Sequence, residues 1–320
     1  MRAVESHASD DLQHHTTARA FRHVFEGPFF RRLMLRGIQS IPPSIQRATM
    51  PLWAVLFYLL LPQARRAVLC NLDVIAGQKT GLHRHLRGVT LFVHYAQMIS
   101  DTYRCYLGAP LHMEVTSLGR TEEVLKLLCE RGGILATGHI GMWQVGPLLH
   151  GWDDLPPFFL ARAEEPTPHI QKWEEQFRQK IRTIYTSASP FSALSLVRVL
   201  RDRCVVGMQI DRVPSGHSVP VQICGRTAYF PEGPALLARL TQAPLLPSFF
   251  VIDKSRGQRT LLHHVGSPIF VAETSDRRKD IEEATQRLAT EYEKLIRRFP
   301  TQFYQFFEFF GPVTSQATPV

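Results

Sequence analysis

From Gly132 onward, short apolar runs alternate with helical stretches, and this alternation constrains the fold more than any other feature of the chain. Glycine or proline bounds most of the runs, and each has about the length of one buried strand. The runs are Ile134–Thr137, Pro157–Ala161, Val205–Ile210, Val219–Ile223, Leu245–Ile252 and Thr260–His264. The helix candidates are residues 167–181, 190–203, 232–242 and 275–299. This order predicts an α/β fold with a mixed, mostly parallel sheet flanked by helices.

The part of the chain before this region has a different texture. Residues 51–130 show helical spacing of apolar residues throughout. Between Arg19 and Ile45, arginines are mixed with phenylalanine and leucine, which is typical of a helix lying in a membrane interface. The alternative is an amphipathic helix packed on the core, but the excess of arginine favours the membrane. The run from Met50 to Pro62 is shorter than the roughly 20 residues that span a bilayer, and it fits a buried helix or a monotopic insert.

We therefore predict four segments. They are a disordered tail at residues 1–17, a helical, membrane-associating part at 18–130, an α/β domain at 131–312 and a second tail at 313–320.

The charge of the chain narrows the choice of partners. Its formal net charge of +9 favours anionic partners, such as an anionic membrane surface, an acidic substrate or nucleic acid. Nucleic-acid binding has no support beyond charge and is not expected. The 5 cysteines form no CxxC pair, so neither a disulfide framework nor a zinc site is predicted.

His139 is the main candidate for chemistry, because it follows the apolar run that ends at Thr137 and has glycine on either side of its turn. Glycines there allow the backbone to come close to a substrate. Arg162 follows the next run, and Asp211 and Arg212 follow the run that ends at Ile210. Since ligands of α/β sheets gather at the carboxyl ends of strands, we expect these side chains to converge on one cleft.

Several motifs along the chain occur in an order that resembles the glycerolipid and lysophospholipid acyltransferases. The resemblance is closer to the branch containing the bacterial lipid A biosynthesis acyltransferases, whose first motif reads roughly Gly-His-x-Gly-x-Trp-Glu. Matching positions here are Gly138, His139, Gly141, Trp143 and, with one change, Gln144. Further motifs are Arg65–Leu72, Arg162, Asp211-Arg212, Phe230–Pro234, Ala243–Pro247 and Pro300–Tyr304, so the resemblance covers about residues 20–310.

The resemblance implies an O-acyltransferase. Its members move a fatty acyl chain from a thioester, of acyl carrier protein or coenzyme A, to a hydroxyl of a glycolipid or lysolipid. The implied location is the cytoplasmic face of the bacterial inner membrane, with peripheral or monotopic attachment. His139 would be the general base, and Arg162, Arg212, Glu232 and Gly233 would hold a phosphate or polar head group. A histidine can take the proton of a hydroxyl that attacks a thioester without help from a metal or organic cofactor, so none is expected.

Gln144 departs from this pattern, because the family has a carboxylate there that stabilises the imidazolium. A glutamine oxygen accepts the same hydrogen bond but brings no charge. Loss of the corresponding charge in a serine-protease triad costs on the order of 10⁴-fold. Three explanations are open. Asp211 or Glu232 supplies the charge, the enzyme is slower or uses a more reactive acceptor, or the chain has lost catalysis and serves as a lipid- or partner-binding protein.

The C-terminal run of residues 299–310 is rich in aromatic side chains. We expect it to close the core and to contribute to an acyl-chain groove; a membrane-facing lip is the alternative.

Overall fold

The computed structural model describes residues 36–108, 113–144, 156–162, 181–186, 192–213, 217–255 and 257–311. Its helices are α1 (Pro43–Leu60), α2 (Pro62–Ala76), α3 (Gly81–Tyr106), α4 (Thr121–Arg131), α5 (Ser192–Arg201), α6 (Gly233–Thr241) and α7 (Arg277–Arg298). Its strands are β1 (Glu114–Gly119), β2 (Gly133–Thr137), β3 (Phe158–Arg162), β4 (Ile181–Tyr185), β5 (Val205–Gln209), β6 (Ser218–Ile223), β7 (Arg226–Pro231), β8 (Leu245–Asp253) and β9 (Thr260–Val265). A short 3₁₀ helix, Pro300–Gln302, follows α7.

A seven-stranded sheet has the order β1-β9-β8-β2-β5-β3-β4. Neighbouring strands are parallel except for the antiparallel pair β8 and β9, while β6 and β7 form a separate antiparallel hairpin. The central strands β2, β5 and β8 are almost wholly buried, as expected for strands covered on both faces. The predicted mixed, mostly parallel α/β sheet is confirmed.

Each of the six apolar runs contains a strand, and the helices predicted at 190–203, 232–242 and 275–299 correspond to α5, α6 and α7. The predicted helix at 167–181 lies outside the described residues except for its last residue, which begins β4. Three strands had not been expected: β1, β4 and β7. β1 and β4 are the edges of the large sheet, where half-exposed and polar residues replace a continuous apolar run.

The described residues divide into two compact units: the helical unit, made of residues 36–108 and 296–311, and the α/β unit, made of those between 113 and 295. The expectation of helix through residue 130 is wrong at β1, which pairs with β9 inside the α/β unit. The division also differs from the expected boundaries at residues 130 and 312, since α4 belongs to the α/β unit and the aromatic C-terminal run belongs to the helical unit.

Within the helical unit, the buried side chain of Asn71 on α2 anchors the C-terminal run. Its amide nitrogen donates to the carbonyls of Gln305, at 3.1 Å, and Phe307, at 2.8 Å, and its oxygen accepts from the backbone N–H of Phe309 at 3.0 Å. Phe306 packs edge-on against a ring of α3, Phe92. The C-terminal run therefore closes the core of this unit, and its expected part in an acyl-chain groove stays a prediction.

No single helix of the described residues is long and apolar enough to cross a bilayer. Residues 44–60 and α2 pass such a test only as a pair, and the chain bends by 101° between them. The predicted tails at 1–17 and 313–320, and residues 19–35 of the basic segment, lie outside the described residues.

Candidate active site

Three adjacent parallel strands bring the predicted site residues to one edge of the sheet. β2 lies beside β5, with Thr137 opposite Gln209, and β5 lies beside β3. His139 follows β2, Asp211 and Arg212 follow β5, and Arg162 is the last residue of β3. The carboxyl ends of these three strands, with four of the predicted site residues, thus lie at one edge of the sheet.

His139 and Asp211 are in direct contact at this edge. Nδ1 of the imidazole lies 2.8 Å from Oδ1 of Asp211, and the backbone N–H of His139 donates to Oδ2 at 2.6 Å. Both side chains are buried, with 6% of His139 and 1% of Asp211 exposed. A neutral imidazole that donates from Nδ1 carries its lone pair on Nε2, which is the arrangement a general base requires.

The electrostatic surroundings keep Asp211 ionised. Burial by itself raises the pKa of this carboxyl, but the charge and hydrogen bond of His139, the charge of Arg212 and a hydrogen bond from Tyr292 together hold the pKa below its ordinary value. The hydroxyl of Tyr292 donates to Oδ2 at 2.7 Å. Burial, followed by the charge of Asp211 and this hydrogen bond, raises the pKa of Tyr292 well above its ordinary value, so the phenol stays protonated.

Two glycines permit the turn that carries His139. A Cβ atom on Gly138 would lie 2.6 Å from the ring of Tyr292, and one on Gly141, whose φ is +56°, would collide with the carbonyl oxygen of Phe250. The same oxygen accepts a hydrogen bond of 2.8 Å from the backbone N–H of Met142. The turn after β2 is therefore fastened to β8 and cannot take larger side chains at either glycine.

Trp143 provides a wall beside the imidazole. Its ring centroid lies 5.0 Å from that of His139, and the two planes are inclined by 53°. Because Trp143 is itself almost buried, the ring of His139 is confined between an indole and a carboxylate.

Gln144, at the position where the family has its carboxylate, is half-buried. The carboxylate bound to Nδ1 of His139 is that of Asp211, the first of the two substitutes considered from the sequence. The second, Glu232, pairs instead with Arg277 at 3.2 Å. The structure thus provides a charged partner for the imidazole without an acid at position 144.

The remaining predicted residues lie at two places. Arg162 is at the same sheet edge as His139, and its carbonyl accepts a hydrogen bond of 2.7 Å from the backbone N–H of Thr186. Arg212 is adjacent to Asp211 in the chain. Glu232 precedes α6, which begins at Gly233, and it lines a surface pocket of about 470 Å³. The pocket is formed by His217, Ser218, Val219, Pro220, Glu232, Arg277, Arg278, Ile281 and Glu282.

Tyr292 is a site residue that the sequence did not reveal as such. Its place in the three- and four-residue apolar spacing of α7 predicts a core position, which is correct, since Tyr292 is fully buried. No local pattern indicates that its hydroxyl meets a carboxylate located 81 residues away in the chain.

A buried histidine that contacts an ionised carboxylate at the strand ends of an α/β sheet is an arrangement compatible with general-base chemistry on a hydroxyl. The family described as bacterial lipid A biosynthesis acyltransferase matches residues 16–310, and the chain belongs to this family. The protein is therefore a lipid acyltransferase by family, as the order of motifs predicted.

A search among curated proteins found no significant match. Among solved structures, the chain is similar to the crystal structure of the 1-acyl-sn-glycerophosphate (LPA) acyltransferase PlsC from Thermotoga maritima. The sequence identity is 14%, the match covers 78% of this chain and 97% of the other, and the TM-score is 0.36. A score this low carries no functional argument.

Proposed function

We propose that the protein transfers a fatty acyl chain from an acyl thioester to a hydroxyl of a glycolipid or lysolipid, with His139 as the general base. The contact between Nδ1 of His139 and Oδ1 of Asp211 carries this proposal, since it orients the ring and provides the charge that stabilises an imidazolium. The donor is acyl carrier protein or coenzyme A, and family membership supports the lipid acceptor.

The proposed reaction proceeds in two steps. Nε2 of His139 takes the proton of the acceptor hydroxyl while the oxygen attacks the thioester carbonyl carbon. The tetrahedral intermediate then expels the thiolate, which receives the proton from the imidazolium, and an ester and a free thiol result. Throughout, the buried anion of Asp211 compensates the positive charge on His139.

Charged residues near His139 could bind the polar head group of the acceptor. Arg162 and Arg212, at the same sheet edge as His139, would attract a phosphate or another anionic group of the acceptor. Glu232 would contribute through the pocket between the β6–β7 hairpin and α7, which it lines, and Gly233 is the next residue in the chain. An Arg162→Ala or Arg212→Ala variant is expected to raise KM for the acceptor more than it lowers kcat.

The second candidate function is that of a lipid- or partner-binding protein without catalysis, which the glutamine at position 144 favours. Catalysis is favoured by the ionised carboxylate of Asp211, because it places beside the imidazole of His139 the negative charge that Gln144 lacks.

The test measures acyl transfer by the purified full-length protein to bacterial lipid extracts, with lipid mass spectrometry as the readout. Acyl carrier protein and coenzyme A thioesters are supplied in separate reactions, so that the same experiment identifies the donor. We expect His139→Ala to lower transfer by about 100-fold or more. His83→Ala, an exposed histidine of α3, is the control and should retain wild-type transfer.

Equal transfer by His139→Ala and wild type would refute the catalytic assignment. Binding of lipid without turnover by the wild-type protein, under every donor tested, would establish the binding function instead.

We further propose that α1 attaches the protein to an anionic membrane surface, at the cytoplasmic face of the inner membrane. Leu52, Trp53, Leu59 and Leu60 are each more than half exposed. Residues 48–64 contain no charged side chain, whereas Arg47 and Arg66, outside this stretch, are exposed cations. An apolar helix face with basic residues beside it is the pattern of interfacial attachment.

Co-sedimentation with phosphatidylglycerol-containing vesicles tests this attachment. A Leu52→Ser, Leu59→Ser double variant is expected to bind about tenfold more weakly or worse, because each exposed leucine contributes roughly 1.5 kcal/mol or more when buried in lipid. The matched control is Leu194→Ser with Leu240→Ser, two exposed leucines of the α/β unit. An equal loss in both double variants would contradict a specific role of α1.

A further inference from the structure

Among the contacts of the described residues, two residues donate three hydrogen bonds to the carboxylate of Asp211. His139 donates one from its ring to Oδ1 and one from its backbone N–H to Oδ2. The third comes from the hydroxyl of Tyr292, which shares Oδ2 with that backbone N–H. Of these three donors, two belong to His139 and the third is the hydroxyl of Tyr292.

The ring of Tyr292 is fixed by packing before it makes this bond. It stacks on Phe249 of β8, with centroids 5.2 Å apart and planes inclined by 16°, and it meets Phe230 of β7 edge-on. On the side of β2, the ring of Tyr292 occupies the space that a Cβ atom of residue 138 would need, and only a glycine at this position leaves that space open. A donor that is held this firmly determines where its acceptor lies.

We propose that Tyr292 is a positioning residue for catalysis, which fixes the carboxylate of Asp211 and thereby sets the orientation and the basicity of His139. This proposal rests on the proposed role of His139 as the general base. The residue acts on the histidine through its hydrogen bond to Asp211.

The direction of the effect on His139 follows from electrostatics. The hydroxyl points the positive end of its dipole at Asp211 and thus opposes a positive charge on the neighbouring imidazole. In the described part of the chain, His139, Asp211 and Arg212 are the charged and titratable groups that act on this point, while β7 and β8 present the uncharged Phe230 and Phe249 to the tyrosine ring. Removal of the hydroxyl should therefore stabilise the imidazolium form of His139. The neutral form, which acts as the base, would then be reached only at a higher pH.

The experiment removes only the hydroxyl, with Tyr292→Phe in the full-length protein. Two-bond ¹H–¹⁵N NMR spectra of imidazole-labelled protein follow the titration of His139, whose resonances are assigned by their loss in His139→Asn. We expect the titration midpoint of His139 to rise by about half a pH unit or more. Where acyl transfer is measurable, the acidic limb of kcat/KM should move in the same direction and kcat should fall about tenfold.

Two controls separate positioning from general packing. Tyr229→Phe, at an exposed tyrosine of β7, should leave both the midpoint and kcat unchanged. In an Asp211→Asn background, Tyr292→Phe should have little further effect on kcat, because a residue that acts through Asp211 loses its influence with the carboxylate.

An unchanged His139 midpoint in Tyr292→Phe, or a full additional loss of activity in the Asp211→Asn background, would overturn the proposal. Should the wild-type protein transfer no acyl chain to any acceptor while the midpoint shifts as expected, the proposed function would fail, and with it the catalytic role of Tyr292, whereas the effect of Tyr292 on the titration of His139 would stand. If Tyr292→Phe does not fold, replacement of Tyr292 by 3-fluorotyrosine, which keeps the hydroxyl and makes it a stronger donor, should lower the midpoint, and a rise would refute the proposal.

Discussion

At the scale of single residues, the site is organised around one carboxylate that contacts the same histidine twice. Asp211 binds both the ring and the backbone N–H of His139, so it fixes the position of the main chain as well as the direction of the imidazole. The sequence allowed Asp211 to be named, because it follows an apolar run as His139 does; the structure shows that the two strands are neighbours. Tyr292 could not be named as a site residue, since its contact depends on the packing of α7 against the sheet.

Substitutions at Asp211 and at Gln144 show which of the two positions supplies the charge beside His139. Asp211→Asn should lower kcat by about 100-fold or more, because the imidazolium loses its compensating charge and an amide can impose the other tautomer. Gln144→Glu should change kcat by less than about threefold, because Asp211 already occupies Nδ1 of His139. Acyl-transfer kinetics of the purified variants provide the measurement.

Asp202→Asn, at an exposed aspartate of the α/β unit, is the control for the loss of one negative charge and should retain wild-type kcat. A large gain in Gln144→Glu together with a small loss in Asp211→Asn would assign the charge to position 144 and refute the pairing.

At the scale of elements, strands in the middle of the sheet were predictable and those at its edges were not. β2, β5 and β8 are covered on both faces and therefore appear as continuous apolar runs. β1 has the sequence Glu-Val-Thr-Ser-Leu-Gly, half of it exposed, and forms hydrogen bonds with a single neighbour, β9. A polar edge strand of this kind has little hydrophobic periodicity. For this reason the sequence predicts a start of the α/β unit at residue 131, after β1.

Another element-scale expectation concerns α2, where Asn71 satisfies three backbone groups of the C-terminal run. Asn71→Ala should lower the free energy of unfolding by about 3 kcal/mol, because these buried groups lose their partner. Urea unfolding followed by circular dichroism measures the change.

Gln63→Ala, an exposed position of the same helix, should change the unfolding free energy by less than about 0.5 kcal/mol. A loss of similar size in both variants would mean that Asn71 has no special anchoring function.

At the scale of the whole molecule, the helical unit is built from two segments that are distant in the chain, whereas the α/β unit is one continuous stretch. The helical unit combines residues before 112 with those after 295, so α7 contributes residues to both units. A sequence with a single change of texture near residue 132 predicts one boundary, whereas the return of the C-terminal run to α2 and α3 depends on the amide contacts of Asn71 and on ring packing. Those contacts join residues over 200 positions apart, and local patterns do not reveal them.

We expect the buried site to contribute to the pH dependence of the stability of the protein. The pKa of Asp211 is lower in the folded state than the ordinary value of about 3.9, so its contribution is complete above that pH and is lost as the pH falls through the folded pKa. The pKa of Tyr292 is raised when folded, so its contribution is complete below about pH 10 and is lost as the pH rises through the folded pKa.

Urea unfolding across the pH range tests both limbs. Asp211→Asn should weaken the loss of stability in acid, and Tyr292→Phe should weaken the loss in alkali, each relative to wild type. Acid and alkaline slopes identical to those of wild type would show that neither group governs the pH dependence.

The carboxylate beside His139 comes from the end of the neighbouring strand β5, and this affects how related proteins can be found by sequence or structure searches. A pattern written along the chain, with an acid five positions after the histidine, rejects this protein at Gln144. A three-point spatial template, made of the imidazole Nδ1, the Oδ1 of Asp211 and the hydroxyl of Tyr292, retains it. Chains dismissed as degenerate for want of that one acid can therefore be sorted by searching the adjoining strand end for a replacement.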